Sequence, residues 1–429
     1  MSSKQFLQQV TSYIRSKEAR RYVEEELQHH LNESKQAWMK KGYSAKEAEE
    51  KAIAEMGSAS QLGKSMDKIH KPKWDFWIIG AVILLLIASF IPILTTDLFQ
   101  DMTSHIIVRK LLHIALATVS IAAIMYFDYR LLQRFSLYIY GIALLLLVIL
   151  FFMPNVVLQG EAMVLLGPIR IHAWMVLPLL LIAFAGFFTE RKWKGWQLAS
   201  LSILPIFFFM QLPNLPVTLL YIAVVPVLFG FSYFSRKVKF YVFSIVGGIG
   251  IAYLAFFVYA YHYIFAPYQT ERIAAFINPE RFADTSGYMI LQFRQALAEA
   301  GLFGAKETIY IPGAHTDFAL VQLIQSSGYV TGIAVILVIL AISLRILWMI
   351  RTMPQSFGKL LVLTAVTLYS VQSIYSIFMV FGLLPLASIP LPFISYGMTP
   401  LLLNAILIGL VLSVYRRKGF MSKPIVNCN

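Results

Sequence analysis

With 429 residues, 58% of them hydrophobic and only 14% charged, and a mean hydropathy of +0.69, the chain has too little polar surface to cover a soluble globule of its size and reads as an integral membrane protein. The net charge of +14 comes from short basic clusters between apolar runs, a pattern of membrane topology that argues against nucleic-acid binding. The one cysteine, Cys428 beside the C-terminus, excludes a disulfide framework or a thiolate metal site within one chain and reads as a free thiol.

Residues 1–73 carry fourteen Lys/Arg against ten Asp/Glu with helical periodicity, which predicts a small cytoplasmic bundle of about three helices and no cleavable signal peptide. Between Ser16 and Gly42, the side chains of Tyr22, Leu27, Leu31 and Trp38 fall on one helical face, and Gly42 offers a stop. Ser44 with Glu47 three residues later has the spacing of a capping box. The adjacent His29 and His30 point about 100° apart on a helix, so a solvated face outweighs a metal site. A basic linker from His70 to Trp74 leads into the membrane.

Ten apolar runs follow, at about 76–95, 106–126, 135–153, 172–189, 197–212, 216–234, 240–265, 319–345, 360–383 and 397–415, each near the length that spans a bilayer. The fold class expected is all-α and polytopic: a prefix domain at 1–73, a ten-helix membrane domain at 74–418 and a tail at 419–429. Lys/Arg clusters recur after the even-numbered spans, which places those loops and both termini in the cytoplasm. Outer turns are proline-rich, and one outer connection, about 266–318, is far longer than a hairpin between helices requires. Within it Tyr288, Leu291 and Leu297 oppose Gln292, Arg294 and Glu299, an amphipathic pattern suited either to covering the bundle or to meeting substrate at the interface.

That loop ends on His315-Thr316-Asp317, at the outer mouth of the eighth span. A carboxylate entering an apolar bundle costs a few kcal/mol unless it is paired or used, and partial burial would raise its pKa toward that of a general base. Capping of the following helix is an equally good reading of Asp317 at this point. Arg109 and Lys110 at the start of the second span, and Lys306 in the long loop, could meet a phosphate or Asp317, though snorkelling to the interface is the commoner use of such residues. His113, His172 and His262 are scattered and read as hydrogen-bonded structure. No P-loop, GxGxxG, HExxH or Cys/His metal spacing occurs.

Several segments resemble the SEDS family of shape, elongation, division and sporulation proteins, the FtsW/RodA/SpoVE group. They are MYFDYRLLQRFSLYIYGIALLLLVILFF (125–152), FINPERFADTSGY (276–288), GLFGAK (301–306), PGAHTDF (312–318), SGYVTG (327–332) and GLLPLASIPLPFISYG (382–397). The resemblance covers about 100–417 and leaves residues 1–73 outside, where the chain is similar to the helical permease-prefix domains. It implies a ten-span glycosyltransferase of the bacterial cytoplasmic membrane that polymerises lipid II, or a related polyprenyl-diphosphate saccharide, at the outer face beside a class B penicillin-binding transpeptidase. The alternatives are a catalytically weakened relative that binds lipid-linked precursor or a partner, and a lipid II flippase. In the motif Pro-Glu-x-His-Thr-Asp-Phe the catalytic aspartate falls on Asp317. Substrate-binding candidates are then His315, Thr316, Arg109, Lys110, Lys306, Ser395 and Tyr396. No metal ligand set is implied, although a divalent cation, Mg or Mn, could accompany the diphosphate.

The departures from the family pattern concern charge. An Arg-Trp pair expected in the second outer loop is absent, and His172-Ala173-Trp174-Met175 replaces Gln-Pro-Ser-Glu, with Pro178 near the place of a following lysine. Leu212-Pro213-Asn214-Leu215-Pro216 replaces Gln-Pro-Asp-Leu-Gly, Gln325-Ser326 replaces a Glu-Glu pair, and Gly313 stands where a glutamate is usual. Either Arg170 and Glu161 contribute to an altered electrostatic shell, or catalysis is weakened.

Overall fold

A computed structural model describes residues 2–95, 103–154, 156–158, 161–166, 169–212, 215–263, 267–353 and 357–418. Its contacts separate two compact units, one formed by Met1–Asp75 with the residues from Val414 onward, the other by Phe76–Ser413.

In the first unit four helices replace the three expected: α1 (Ser3–Ser12), α2 (Lys17–Lys40), α3 (Ala45–Met56) and α4 (Ala59–Ile69). The extra break falls at Gly57, whose φ of 73° ends α3 in a conformation that glycine adopts without a Cβ penalty. Ser44 and Glu47 form the capping box in full, each side chain bonding the other's main-chain N–H. Phe6, Leu7, Val10, Val23, Leu27, Leu31 and Met66 build the core, with Tyr22 packed against it. His29 and His30 both approach the Glu33 carboxylate, at 3.5 and 3.8 Å, on the outer face of α2.

The second unit has a helix in each of the ten predicted spans. In order they are α5 (Phe76–Ala88) continued by α6 (Ile91–Leu94), α7 (Thr103–Tyr126), α9 (Ser136–Phe152), α10 (Ala173–Phe187), α11 (Gly195–Gln211), α12 (Leu215–Gly230), α13 (Arg236–Tyr263), α16 (Ala319–Arg351), α17 (Phe357–Val380) and α18 (Met398–Arg416). The short α8 (Arg130–Arg134) links α7 to α9. Among the described residues five segments, 76–94, 105–126, 319–351, 357–380 and 398–416, are long and apolar enough to cross a membrane, and four shorter apolar helices accompany them. This is an all-α polytopic membrane fold. Almost every side chain of α10 is buried, Pro178 included, and the helix packs against α9, α12 and α17 at the centre of the unit.

One feature is not helical. Three short segments form an antiparallel sheet, β1 (Val156–Leu158), β2 (Glu161–Leu166) and β3 (Ile169–Ile171), with Leu158 opposite Glu161 and Leu166 opposite Ile169. The β-branched and aliphatic residues of these segments suit extended pairing.

The long connection folds into α14 (Pro267–Ile277), a 3-10 turn (Pro279–Phe282), α15 (Tyr288–Glu299) and an irregular stretch to Phe318. The buried stripe of α15 is Ile290, Phe293 and Ala296, offset from the one expected, and Tyr288 is exposed. Helix α16 is broken at Gly328, where φ is 85° and ψ 170°. Residues 301–305 fill the break: Ala305 N–H donates to the Gln325 carbonyl at 2.8 Å, and Tyr329 and Val330 N–H donate to Gly301 and Leu302 carbonyls at 3.1 and 3.2 Å. A Cβ at Gly328 would stand 2.1 Å from the Leu302 carbonyl oxygen, and one at Gly304 2.5 Å from that of Ser326. The glycines of GLFGAK and SGYVTG are therefore the two sides of one backbone contact. Gln325 is fully buried beside it and, in the amide orientation that satisfies both its polar atoms, accepts from Ile309 N–H and donates to the Ile309 carbonyl at 3.2 Å. A glutamate could accept there but, when ionised, could not donate.

Candidate active site

Two loops build the site. The first, 312–318, turns sharply at Gly313 (φ 72°), whose carbonyl accepts from Thr316 N–H at 3.0 Å, from Phe318 N–H at 3.3 Å and from the Thr316 hydroxyl at 3.1 Å. Phe318 then begins α16 and packs edge-on against Phe293 of α15, their ring centroids 4.8 Å apart. The second loop, 384–397, closes a turn in which Ile394 and Ser395 N–H donate to the Leu391 carbonyl and the Ser395 hydroxyl accepts from Leu391 N–H at 2.8 Å. Phe393, buried at the centre of this turn, has φ 62°, a region that costs a non-glycine residue on the order of 1–3 kcal/mol. The surrounding packing therefore dictates its shape. Lys110 of α7, fully buried, reaches the Ser395 carbonyl with its Nζ at 3.4 Å. The two loops are joined by Tyr396 N–H, which donates to the His315 carbonyl at 2.8 Å.

Between them lies a cavity of about 380 Å³ lined by His172, Trp174, Gly313, His315, Thr316, Asp317, Ser388, Pro390, Tyr396, Gly397, Thr399 and Pro400. Asp317 faces this cavity. The residue that caps α16 is Phe318, which supplies no side-chain cap bond, so the capping reading of Asp317 gives way to the cavity-facing one. Burial pushes the Asp317 carboxyl above the usual aspartate range, and a hydrogen bond from the Ser388 hydroxyl partly offsets the shift. Burial acts on His315 in the opposite sense and holds its imidazole below the usual histidine value, favouring the neutral ring. The His315 and His113 rings both approach Tyr396, at centroid distances of 5.8 and 5.7 Å. His172 precedes α10, and its Nε2 lies 3.0 Å from the Thr399 hydroxyl.

The sequence model of the FtsW/RodA/SpoVE cell cycle protein family matches residues 73–419. The chain belongs to this family. As an FtsW/RodA/SpoVE protein it is 24% identical over 350 residues to the probable peptidoglycan glycosyltransferase FtsW of Trichlorobacter lovleyi, an alignment covering 77% of this chain and 88% of that protein. It is 30% identical over 157 residues to stage V sporulation protein E of Bacillus subtilis, covering 35% and 43% of the two chains, and 26% identical over 186 residues to the peptidoglycan glycosyltransferase MrdB of Escherichia coli K12, covering 42% and 50%. These two alignments span half or less of the relatives. The fold is that of a chain solved in work on how a peptidoglycan synthase complex coordinates polymerization and crosslinking, with a TM-score of 0.67 at 19% identity, covering 80% of this chain and 98% of that one. It is also that of RodA from Thermus thermophilus, with a TM-score of 0.57 at 17% identity and coverage of 80% and 97%.

In this FtsW/RodA/SpoVE member the cavity brings together four of the eight site residues expected from the sequence: Asp317, His315, Thr316 and Tyr396. Ser395 lies behind the wall, with its hydroxyl committed to Leu391 N–H. Lys110 is buried against the same turn, and Arg109 and Lys306 are exposed and outside the lining. The side chains of Arg170, Glu161 and His262 fall outside the described residues, as does Cys428. Ser388 and Thr399 are polar cavity residues that the sequence reading did not single out, and His172, read there as hydrogen-bonded structure, lines the cavity as well. Ser388 and its neighbours sit inside the most distinctive family segment, while His172 reads as a lone histidine until the fold sets it beside Thr399. Among the described residues no group of three or more His, Cys, Asp or Glu is placed to hold a metal ion.

Proposed function

We propose that this membrane protein is a peptidoglycan glycosyltransferase that polymerises lipid II at the outer face of the cytoplasmic membrane, with Asp317 as general base. The observation that carries the reading is the Asp317 carboxylate, turned into a cavity of substrate-binding size and raised in pKa by burial. The names of the relatives, FtsW and MrdB peptidoglycan glycosyltransferases, support the same reaction class. In the reaction the 4-hydroxyl oxygen of one lipid-linked disaccharide attacks the anomeric carbon of another. Asp317 takes the hydroxyl proton, the new C–O bond forms, and the bond from the anomeric carbon to the phosphate oxygen breaks with its electron pair leaving on the polyprenyl diphosphate. Donors along the cavity wall stabilise that departing charge. A divalent cation, where one is used, enters with the diphosphate as part of the substrate.

The reading gives the chain cytoplasmic termini and a class B penicillin-binding transpeptidase as partner, which would crosslink the strands it makes. Full-length protein incubated with fluorescent lipid II, alone and with such a transpeptidase, tests it. Glycan strands resolved on a gel are the expected product, and unchanged lipid II with both proteins present would leave a precursor-binding relative in place of the enzyme.

A further inference from the structure

We propose that His172 and Thr399 act as one unit that grips the diphosphate of the lipid-linked substrate, the Thr399 hydroxyl touching the ligand and His172 positioning that hydroxyl. The inference deepens the reading of the cavity as a lipid II site and rests on it.

None of the cavity's described lining residues is a lysine or arginine. Lys110 is fully buried with its Nζ 3.4 Å from the Ser395 carbonyl and does not line the cavity, and Arg109 and Lys306 are exposed and outside the lining. A diphosphate placed before Asp317 therefore meets imidazole and hydroxyl donors. Of the aliphatic hydroxyls on the wall, Thr316 gives its hydrogen to the Gly313 carbonyl, and Ser388 stands beside the Asp317 carboxylate, whose charged form it favours. Thr399 differs. Its oxygen lies 3.0 Å from His172 Nε2, so with the proton on Nε2 the ring donates to that oxygen and leaves the threonine hydrogen for a ligand.

The geometry fits this use. His172 stands at the N-cap position of α10 without a side-chain cap bond, so the helix end does not dictate its ring direction. Thr399 lies in the first turn of α18, where the helix dipole adds a partial positive charge beside the hydroxyl. The two residues are 227 positions apart in sequence, and their bond links the start of one buried helix to the start of another across the cavity wall.

Equilibrium binding of undecaprenyl diphosphate to the full-length protein in nanodiscs tests the unit without requiring turnover. Thr399→Val and His172→Ala should each weaken binding about tenfold, the scale of one hydrogen bond to a charged group. Thr399→Ser and His172→Gln, which keep a hydroxyl and an N–H donor, should stay within about threefold of the parent. The double variant His172→Ala/Thr399→Val should be no weaker than Thr399→Val alone, because the histidine acts through the threonine. Parental affinity in Thr399→Val, or losses that add in the double variant, would overturn the proposal. Should His172→Ala not fold, Thr399→Val against Thr399→Ser decides the hydroxyl, and His172→Gln against a His172→Leu protein that melts like the parent decides the ring. A parent that binds undecaprenyl diphosphate but makes no glycan contradicts the enzymatic reading and leaves this one standing. A His172→Ala protein that polymerises lipid II with parental KM contradicts this one alone.

Discussion

Tyr396 N–H donates to the His315 carbonyl at 2.8 Å, so the two loops that meet at the cavity share one main-chain bond. Lys110 holds the far side of the same turn through the Ser395 carbonyl, one residue from Tyr396. Lys110 is buried at 0% exposure with its ammonium directed at that carbonyl, a placement that suits a residue supporting the cavity wall.

Replacing Lys110 with methionine should therefore lower kcat at least tenfold while KM for lipid II changes by less than about threefold, because a misplaced wall costs transition-state fit before ground-state binding. Steady-state kinetics of the variant check this. A rise in KM with kcat preserved would instead put the ammonium on the substrate diphosphate.

Ser388 lines the cavity with Asp317 and opposes the effect of burial on its carboxyl. Burial raises the Asp317 pKa, and the serine hydroxyl pulls it back by stabilising the carboxylate. A base must be deprotonated to act, so activity rises with pH through the raised pKa. Ser388→Ala removes the offset and should move the acid limb of kcat/KM to higher pH, leaving the rate at high pH within a few-fold of the parent. A pH–rate profile of both proteins reads the shift, and a limb that stays in place would detach Ser388 from the Asp317 carboxylate.

The break in α16 depends on glycine. Gly328 has φ 85°, and a Cβ there would lie 2.1 Å from the Leu302 carbonyl oxygen. Gly328→Ala should destabilise the protein by at least roughly 1–3 kcal/mol from backbone strain alone, more with the clash. Thermal unfolding in detergent should show a clearly lower Tm; an unchanged Tm would mean that the 301–305 segment does not press on the helix.

Much of this architecture is legible in the residue order because hydropathy is a strong, local signal: helices fill all ten apolar segments, and Ser44 and Glu47 form the cap their spacing announces. The strands at 156–158, 161–166 and 169–171 are not announced by the sequence, since short Val, Leu and Ile runs between two spans carry too little periodicity of their own. Asp317 stands out because a carboxylate is costly in an apolar setting. Thr399 and His172 do not, because a threonine near a helix start and a single histidine are ordinary, and only tertiary packing across 227 residues makes them partners. The departures from the family pattern divide likewise: Gln325 is explained by the Ile309 main chain it pairs with, and Gly313 by a positive φ that a glutamate would adopt only with strain.

The account turns on Asp317 as the group that accepts the sugar hydroxyl's proton. The most direct measurement is the initial rate of lipid II polymerisation by purified parent and Asp317→Asn proteins at matched amounts and equal undecaprenyl diphosphate binding. Loss of general-base catalysis predicts a fall of about 10²–10⁴-fold with binding retained. Glycan made by the asparagine protein at the parental rate would contradict the account.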